Sequence, residues 1–465
     1  MKIKHNDLYI PKLKNENPFQ NCKLGRDIHA MNLTQIVKSF PDGFVLSINN
    51  EWGAGKTTFV KMWQQYLSNN GFKTVYFNAW ENDFDTNPLV ALVAELEPII
   101  KSKPKFKKVM DKAGKIGFNI LPAVAKGISN KLSGSEDFAN VVEVIIKSST
   151  EIFTNEVNIY NEKKKNINEF RSLLTKFIQE KTEDKPLVFI IDELDRCRPD
   201  YAVEVLEQIK HLFSVEGIVF VLSIDKIHLA SSIKGFYGSP DINTDEYLRR
   251  FINLEYTLPQ PNTNNFVYYL YEYYQFDDIL TKINSVYFKE NFLKAIIIIF
   301  NKSNLSLRKQ ENIFAMTRLV MTCFKDNWFQ FLLIIFIIIT IKITKPVVYF
   351  KIRSHNLDIK SLLNELEVLF EIKEVNDCAY YIFRNVIWLI FFYNNNLNIS
   401  SSAENYKNLF LLRENEIMPM FKSNLMSNDN IKSIMSDFLN YEFKGIKLSA
   451  LIEKIELKDP IFIND

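Results

Sequence analysis

Eight consecutive residues, Asn50-Glu51-Trp52-Gly53-Ala54-Gly55-Lys56-Thr57, with Thr58 behind them, have the types and spacing of a phosphate-binding loop of Walker A kind. Such a loop needs glycines so that backbone N–H groups can close on phosphates, a lysine for the β/γ charge, and a hydroxyl for Mg²⁺ at a helix start. Gly53 and Gly55 supply the first, Lys56 the second and Thr57 the third. Asn50 stands where the usual pattern has glycine; asparagine tolerates positive φ better than other non-glycine residues, so a turn there is expected to rest on that freedom.

A second group is Leu187-Val188-Phe189-Ile190-Ile191-Asp192-Glu193, five apolar residues running into two carboxylates. Magnesium on a triphosphate needs an acid at the end of the strand next to the loop, and the attacking water needs a group to orient and deprotonate it. Asp192 suits the metal, directly or through water, and Glu193 the water. The plainer use of such acids is to cap a helix, which fits Asp195 or Asp200 better than the first pair.

Three further places carry polar chemistry. Ser223-Ile224-Asp225 ends an apolar run, where a polar residue could sense a γ-phosphate or Asp225 could start the next helix. Arg249 and Arg250 precede a run from Asn253 to Pro259 that reads as a last strand, and Arg308 lies in Leu305-Ser306-Leu307-Arg308. Either arginine site could bring a guanidinium to phosphate; the alternative is a solvated surface charge. Trp52 and Trp80 are expected to pack in the core.

The elements that must position these residues are legible from periodicity. Phe44 to Ile48 reads as a strand, Lys56 to Leu67 as a helix, Lys73 to Phe77 as a strand and Asn87 to Ile100 as a helix. Leu187 to Ile191 and Ile218 to Leu222 are unbroken apolar runs, the mark of parallel strands covered on both faces. The fold class is therefore α/β, a three-layer core with a parallel sheet. Between Phe77 and Leu187 the chain is far longer than a βαβ crossover needs, so it holds an insertion between the two nucleotide motifs. From Asn262 onward the pattern is helical. The expected domains are 1–100 and 181–261 for the two parts of the core, 101–180 for a mostly helical insertion, and 262–465 for an all-helical lid and C-terminal domain.

Composition narrows the partners. In 465 residues, 57 lysines and arginines balance 55 acidic residues, and a net charge of +2 gives no field that would draw the whole protein onto nucleic acid. Cys22, Cys197, Cys323 and Cys378 form no C-x-x-C pair and no H-E-x-x-H occurs, which argues against zinc. The opening MKIKHNDLYI lacks a secretory apolar core, so a reduced, cytoplasmic setting is expected. The basic run from Lys101 to Lys115 and the amphipathic stretch after it read as a solvated helix or as a contact with an anionic membrane surface. Trp328 to Ile341, too short to span a bilayer, reads as a buried helix or else as a membrane contact.

Taken together these segments resemble the KAP family of P-loop NTPases, a branch near the AAA+ and STAND ATPases that includes phage-exclusion proteins. The resemblance is carried by W-G-A-G-K-T-T (52–58), V-Y-F-N-A-W (75–80), I-I-D-E-L-D-R-C-R-P (190–199), V-L-S-I-D (221–225), E-Y-L-R-R-F (246–251) and L-S-L-R (305–308). It implies ATP with Mg²⁺ as ligands, Lys56 and Thr57 on phosphate and metal, Asp192 as the metal-strand acid and Glu193 as the catalytic acid. It further implies Arg308 as a second-sensor arginine, Arg249 or Arg250 as a finger toward a neighbouring subunit, and Gly25-Arg26 near the adenine. The implied partners are further copies of this chain or other proteins of a bacterial defence or stress-signalling system.

Overall fold

The structure is a computed structural model that describes residues 8–84, 87–99, 107–109, 111–113, 161–162, 164–180, 185–211, 215–260, 262–280, 286–324, 331–369, 377–397, 410–413, 416–419, 433–434 and 448–457. The chain divides into two compact units: one of residues 8–22 and 26–260, the other of 1–7, 23–25 and 261–465.

The first unit is built on five parallel strands, β1 (Val45–Asn49), β2 (Thr74–Asn78), β3 (Leu187–Asp192), β4 (Ile218–Ile224) and β5 (Leu254–Thr257), in the order β2-β3-β4-β1-β5. All residues of β3 and β4 are buried, which is why their sequences are continuous apolar runs rather than alternations. The period of two then sorts the side chains by face. Leu46, Ile48, Val188, Ile190, Val219 and Val221 pack with Val37 of α1 (Asp27–Ser39) and Phe59 and Trp63 of α2 (Lys56–Asn69). Val75, Phe77, Phe189, Ile191, Phe220 and Leu222 pack on the opposite face. Their neighbours there include α3 (Pro88–Ala94), α4 (Pro199–His211) and α5 (Lys226–Tyr237). Fully burying one such side chain is worth about 1.5–3 kcal/mol, so the two faces together fix the sheet. Trp63, fully buried, also donates from Nε1 to Thr34 Oγ1 at 2.9 Å and so locks α2 to α1.

The helix expected over Asn87–Ile100 stops at Ala94 and is capped at its start by Asn87, which accepts from Leu89 N at 3.1 Å. Pro98 is the physical reason for the early end, since the residue before a proline is disfavoured in the helical region. Of the insertion, the described residues are helical, the longest run being 164–180, and Val109, Ala113, Phe170 and Leu174 join the core on the α3 side. Residues 114–160, where the amphipathic membrane-surface reading falls, lie outside the described residues.

The second unit is helical around one core, from Thr263–Tyr273 to Leu448–Ile455. It also holds a two-stranded antiparallel ribbon, Phe410–Arg413 with Glu416–Pro419. Short apolar runs do not separate strand from helix by periodicity, which is why the ribbon was not expected. Helix Leu332–Thr344 is buried over its whole circumference from Leu332 to Ile341. Among the described residues no helix is long and apolar enough to cross a membrane.

Candidate phosphate-binding site

The loop between β1 and α2 turns on Gly53 (φ 81°) and Gly55 (φ 78°), a left-handed conformation that a side chain would strain. Asn50 is not in that region, contrary to expectation. It serves as a staple instead: Nδ2 donates to Leu258 O at 2.6 Å, Oδ1 accepts from Glu51 N at 2.7 Å, and its N–H donates to Ile224 O at 3.3 Å. A glycine could make only the last of these. Gly55 is the N-cap of α2, so the N–H groups of the first helical turn open toward the loop. Thr57 and Thr58 are half-buried in that turn, Ala54 is buried and Glu51 exposed.

Lys56 is 8% exposed and folds back on its own loop, donating from Nζ to Asn50 O at 2.6 Å and Glu51 O at 3.1 Å. Burial lowers its pKa, and the nearby Asp195, Asp225 and Asp192 oppose that shift while Arg196 adds to it. Behind the loop lies Arg26, itself only 2% exposed, which donates from Nη2 to Ala54 O at 2.6 Å and from Nη1 to Gly55 O at 3.0 Å. Desolvation lowers its pKa to about 10, so it remains a cation at neutral pH.

The expectation that Asp192 ends the strand next to the loop strand is corrected by the sheet order: β4 lies between β3 and β1. At a strand spacing of about 4.8 Å, the acid is about 10 Å from the loop strand rather than beside it. Strand register nevertheless sets Asn78, Asp192, Ser223 and Ile48 in one row at the carboxyl ends of β2, β3, β4 and β1. Asp192 is buried, accepting from Tyr76 OH at 2.9 Å through Oδ2 and from Glu193 N at 3.0 Å through Oδ1. Ser223 Oγ is buried and makes no hydrogen bond among the described residues.

Glu193 has φ 61°, a left-handed conformation uncommon for a residue with a long side chain. That backbone turn is what takes its carboxylate off the strand and into two ties: Oε2 accepts from Asn78 Nδ2 at 3.2 Å, and Oε1 is 2.9 Å from Arg196 Nη1. Burial raises its pKa and Arg196 counteracts the rise.

Trp52 and Trp80 are exposed, not core residues as composition suggested, because each sits on a turn beyond a strand end. Trp52 is nonetheless anchored. Its N–H donates to Asp225 Oδ2 at 3.2 Å, its Nε1 donates to Asp195 Oδ2, and its ring stacks on His228 with centroids 3.7 Å apart. Asp225, for which two uses stood open, is the N-cap of α5, accepting from Ile227 N at 3.1 Å and His228 N at 3.3 Å. Of Asp195 and Asp200, either of which was expected to cap a helix, Asp200 lies in the first turn of α4, whereas Asp195 is a buried acceptor for Trp52 with its pKa raised by burial.

The arginines expected at phosphate fall in different units, Arg249 and Arg250 in the first and Arg308 in the second. Arg249 and Arg250 are exposed at the end of helix α6 (Thr244–Leu248), just before β5. Arg308 is exposed in the first turn of helix Leu307–Met321 of the second unit. The residues that sequence reasoning left without a role in the site are Asn78, Tyr76, Arg196 and His228. Arg196 had a signal, its position three residues after Glu193.

Lys56 has Asp192, Asp195 and Asp225 near it and Arg196 pairs with Glu193, an arrangement that suits a phosphate accompanied by a divalent cation. The oxygen donors Thr57 and Asp192 are of the hard kind Mg²⁺ takes, and Mg²⁺ draws its remaining ligands from water and substrate phosphates. Among the described residues no group of three or more His, Cys, Asp or Glu could hold a metal alone.

Comparison with known proteins gives three findings. An uncharacterized protein of Methanocaldococcus jannaschii is 28% identical over 176 residues, 32% of this chain and 89% of that protein. The solved structure of the Aeropyrum pernix ORC2 protein, in ADPNP–ADP complexes, aligns with 94% of this chain and 98% of that one at 12% identity and a TM-score of 0.29. The model of the KAP family P-loop domain matches residues 26–320, more than half of the chain, and takes in the loop, the acidic strand and both neighbouring polar strand ends. The chain therefore belongs to the KAP family of P-loop proteins.

Proposed function

We propose that this chain binds ATP with Mg²⁺ and hydrolyses it, and that the cycle works as a regulatory switch rather than as metabolism. The observation that carries the reading is the convergence of Lys56, Thr57, Asp192 and Glu193 at the carboxyl ends of one parallel sheet, where ligands of open α/β sheets bind. Lys56 exchanges its two loop carbonyls for β/γ-phosphate oxygens. The N–H groups of Gly53 to Thr57 cradle the phosphates, and Thr57 with Asp192 would hold Mg²⁺, which would offset charge on the phosphates. Glu193 orients and deprotonates the attacking water, with Ser223 available to the γ-phosphate. Arg249 or Arg250 completes the site of an adjacent copy; a second-sensor role for Arg308 rests on the family resemblance alone. A role in bacterial defence against phage or in stress signalling rests on the family resemblance, a reduced, cytoplasmic setting on the dispersed cysteines, and contact with the membrane periphery on the basic run from Lys101 to Lys115.

A second reading, a switch that turns over slowly, is favoured by one observation. Asn78 and Arg196 both hold the Glu193 carboxylate, so the base is restrained until something releases it.

The test is phosphate release by purified protein with Mg²⁺ and with chelator, beside Glu193→Gln. The amide keeps the shape but cannot accept a proton, so nucleotide affinity should stay within about threefold while turnover falls at least about 100-fold. Equal turnover in the two proteins overturns the assignment of the base.

A further inference from the structure

Arg196 stands between two exposed tryptophans and the proposed base. Its Cζ is 6.0 Å from the centre of the Trp52 ring and 5.5 Å from that of Trp80, while Nη1 is 2.9 Å from Glu193 Oε1. Trp52 belongs to the phosphate loop and Glu193 to the end of β3, so the guanidinium bridges the two sides between which a γ-phosphoryl group must lie.

We propose that Arg196 is a catalytic residue acting within its own chain, leaving Glu193 to bind the transferred phosphoryl group when a nucleoside triphosphate occupies the loop. The inference rests on the nucleotide-hydrolysing reading of the same site. Three features support it. An aromatic ring holds a guanidinium by its flat face, which leaves the N–H donors at the edge free for a second, bidentate partner. The ion pair with Glu193 is not sealed in the core, the arginine side chain being 27% exposed, so exchanging one anion for another does not require a buried charge to be stranded. A phosphoryl group carries more negative charge than one carboxylate and matches the guanidinium fork, so it is the better acceptor. The same move removes one of the two ties on Glu193.

In the step itself, water oxygen bonds to the γ-phosphorus and the bond from that phosphorus to the β–γ bridging oxygen breaks. The bonding pair stays on ADP, and the water proton passes to Glu193. Arg196 neither gains nor loses a proton; it offsets the charge spread over the equatorial oxygens. It is distinct from Arg249 and Arg250, which would act on a neighbour.

The experiment compares ADP with ADP plus aluminium fluoride, a mimic of the transferring phosphoryl group, by titration calorimetry on the full chain. Wild type should bind ADP and prefer the mimic by about 100-fold or more. Arg196→Ala should bind ADP within about threefold of wild type and lose at least about tenfold of that preference, and Arg196→Lys should recover part of it. Arg196→Ala protein mixed with Lys56→Ala protein should remain inactive, because the arginine and the loop must share a chain. Full preference for the mimic in Arg196→Ala, or activity restored by mixing, overturns the inference while leaving the nucleotide reading intact. Wild type that binds no ADP overturns both. Thermal unfolding of Arg196→Lys within a few degrees of wild type separates the effect from misfolding.

Discussion

Arg26 Nη2 lies 2.6 Å from the carbonyl oxygen of Ala54, and the same guanidinium reaches Gly55 O at 3.0 Å. In a trans peptide the C=O and the following N–H point in opposite directions. Holding these two carbonyls from behind therefore aims the N–H groups of Gly55 and Lys56 the other way, into the loop. The resemblance alone suggested a place near adenine; the structure ties the side chain to the loop backbone.

Arg26→Met should consequently damage both stability and binding. Gly55 O keeps a second donor, Phe59 N at 3.1 Å, so the main orphan is Ala54 O. One buried unsatisfied carbonyl costs about 1–3 kcal/mol, to be read from urea unfolding. ATP affinity should weaken about tenfold, because the donors are no longer preorganised. Affinity equal to wild type would show that Arg26 supports the fold without aiming the loop.

Asn78 is bonded in two directions. Nδ2 donates to Glu193, and Oδ1 accepts from Trp80 N at 3.1 Å and Glu81 N at 3.3 Å, capping the turn Trp80–Asn82. Asn78→Ala should release part of the restraint on the base. Phosphate release in the absence of partners should rise several-fold, with ATP affinity unchanged and stability lower by about 1 kcal/mol. A slower rate with unchanged affinity would mean that Asn78 positions Glu193 for reaction instead of restraining it.

Arg249 and Arg250 are exposed and adjacent, as a contact with another molecule requires. A finger supplied in trans accelerates transfer by about 10³–10⁵. Activity per molecule should then rise with protein concentration. Mixing Arg249→Ala/Arg250→Ala protein with Lys56→Ala protein should restore turnover, since the first keeps an intact loop and the second an intact finger. A double-arginine variant as active as wild type at every concentration rules the finger out.

The loop and the acidic pair were legible because their chemistry needs particular residue types in a fixed local order, as in Gly53-Ala54-Gly55-Lys56-Thr57. Sheet order was not, since β3 and β4 are both unbroken apolar runs and nothing local says which lies beside β1. That one nonlocal fact moved Asp192 a strand away from the loop strand. It also hid Asn78, whose place beside Glu193 follows from its pairing with Asp192 across β2 and β3. Trp52 and Trp80 misled for a related reason. Composition favours the core for tryptophan, whereas these two lie on turns whose exposure is set by strand ends that periodicity fixes only to within a residue or two.

In the proposed cycle Lys56 holds the β/γ-phosphates in place of Asn50 O and Glu51 O, to which it is now bonded. Calorimetric titration of wild type and Lys56→Ala with ATP and Mg²⁺ tests it most directly. Wild type should bind one ATP per chain, and Lys56→Ala should lose at least about 100-fold in affinity, about 2.7 kcal/mol. An affinity within about twofold of wild type, a difference well under 1 kcal/mol, would show that Lys56 does not hold the phosphates.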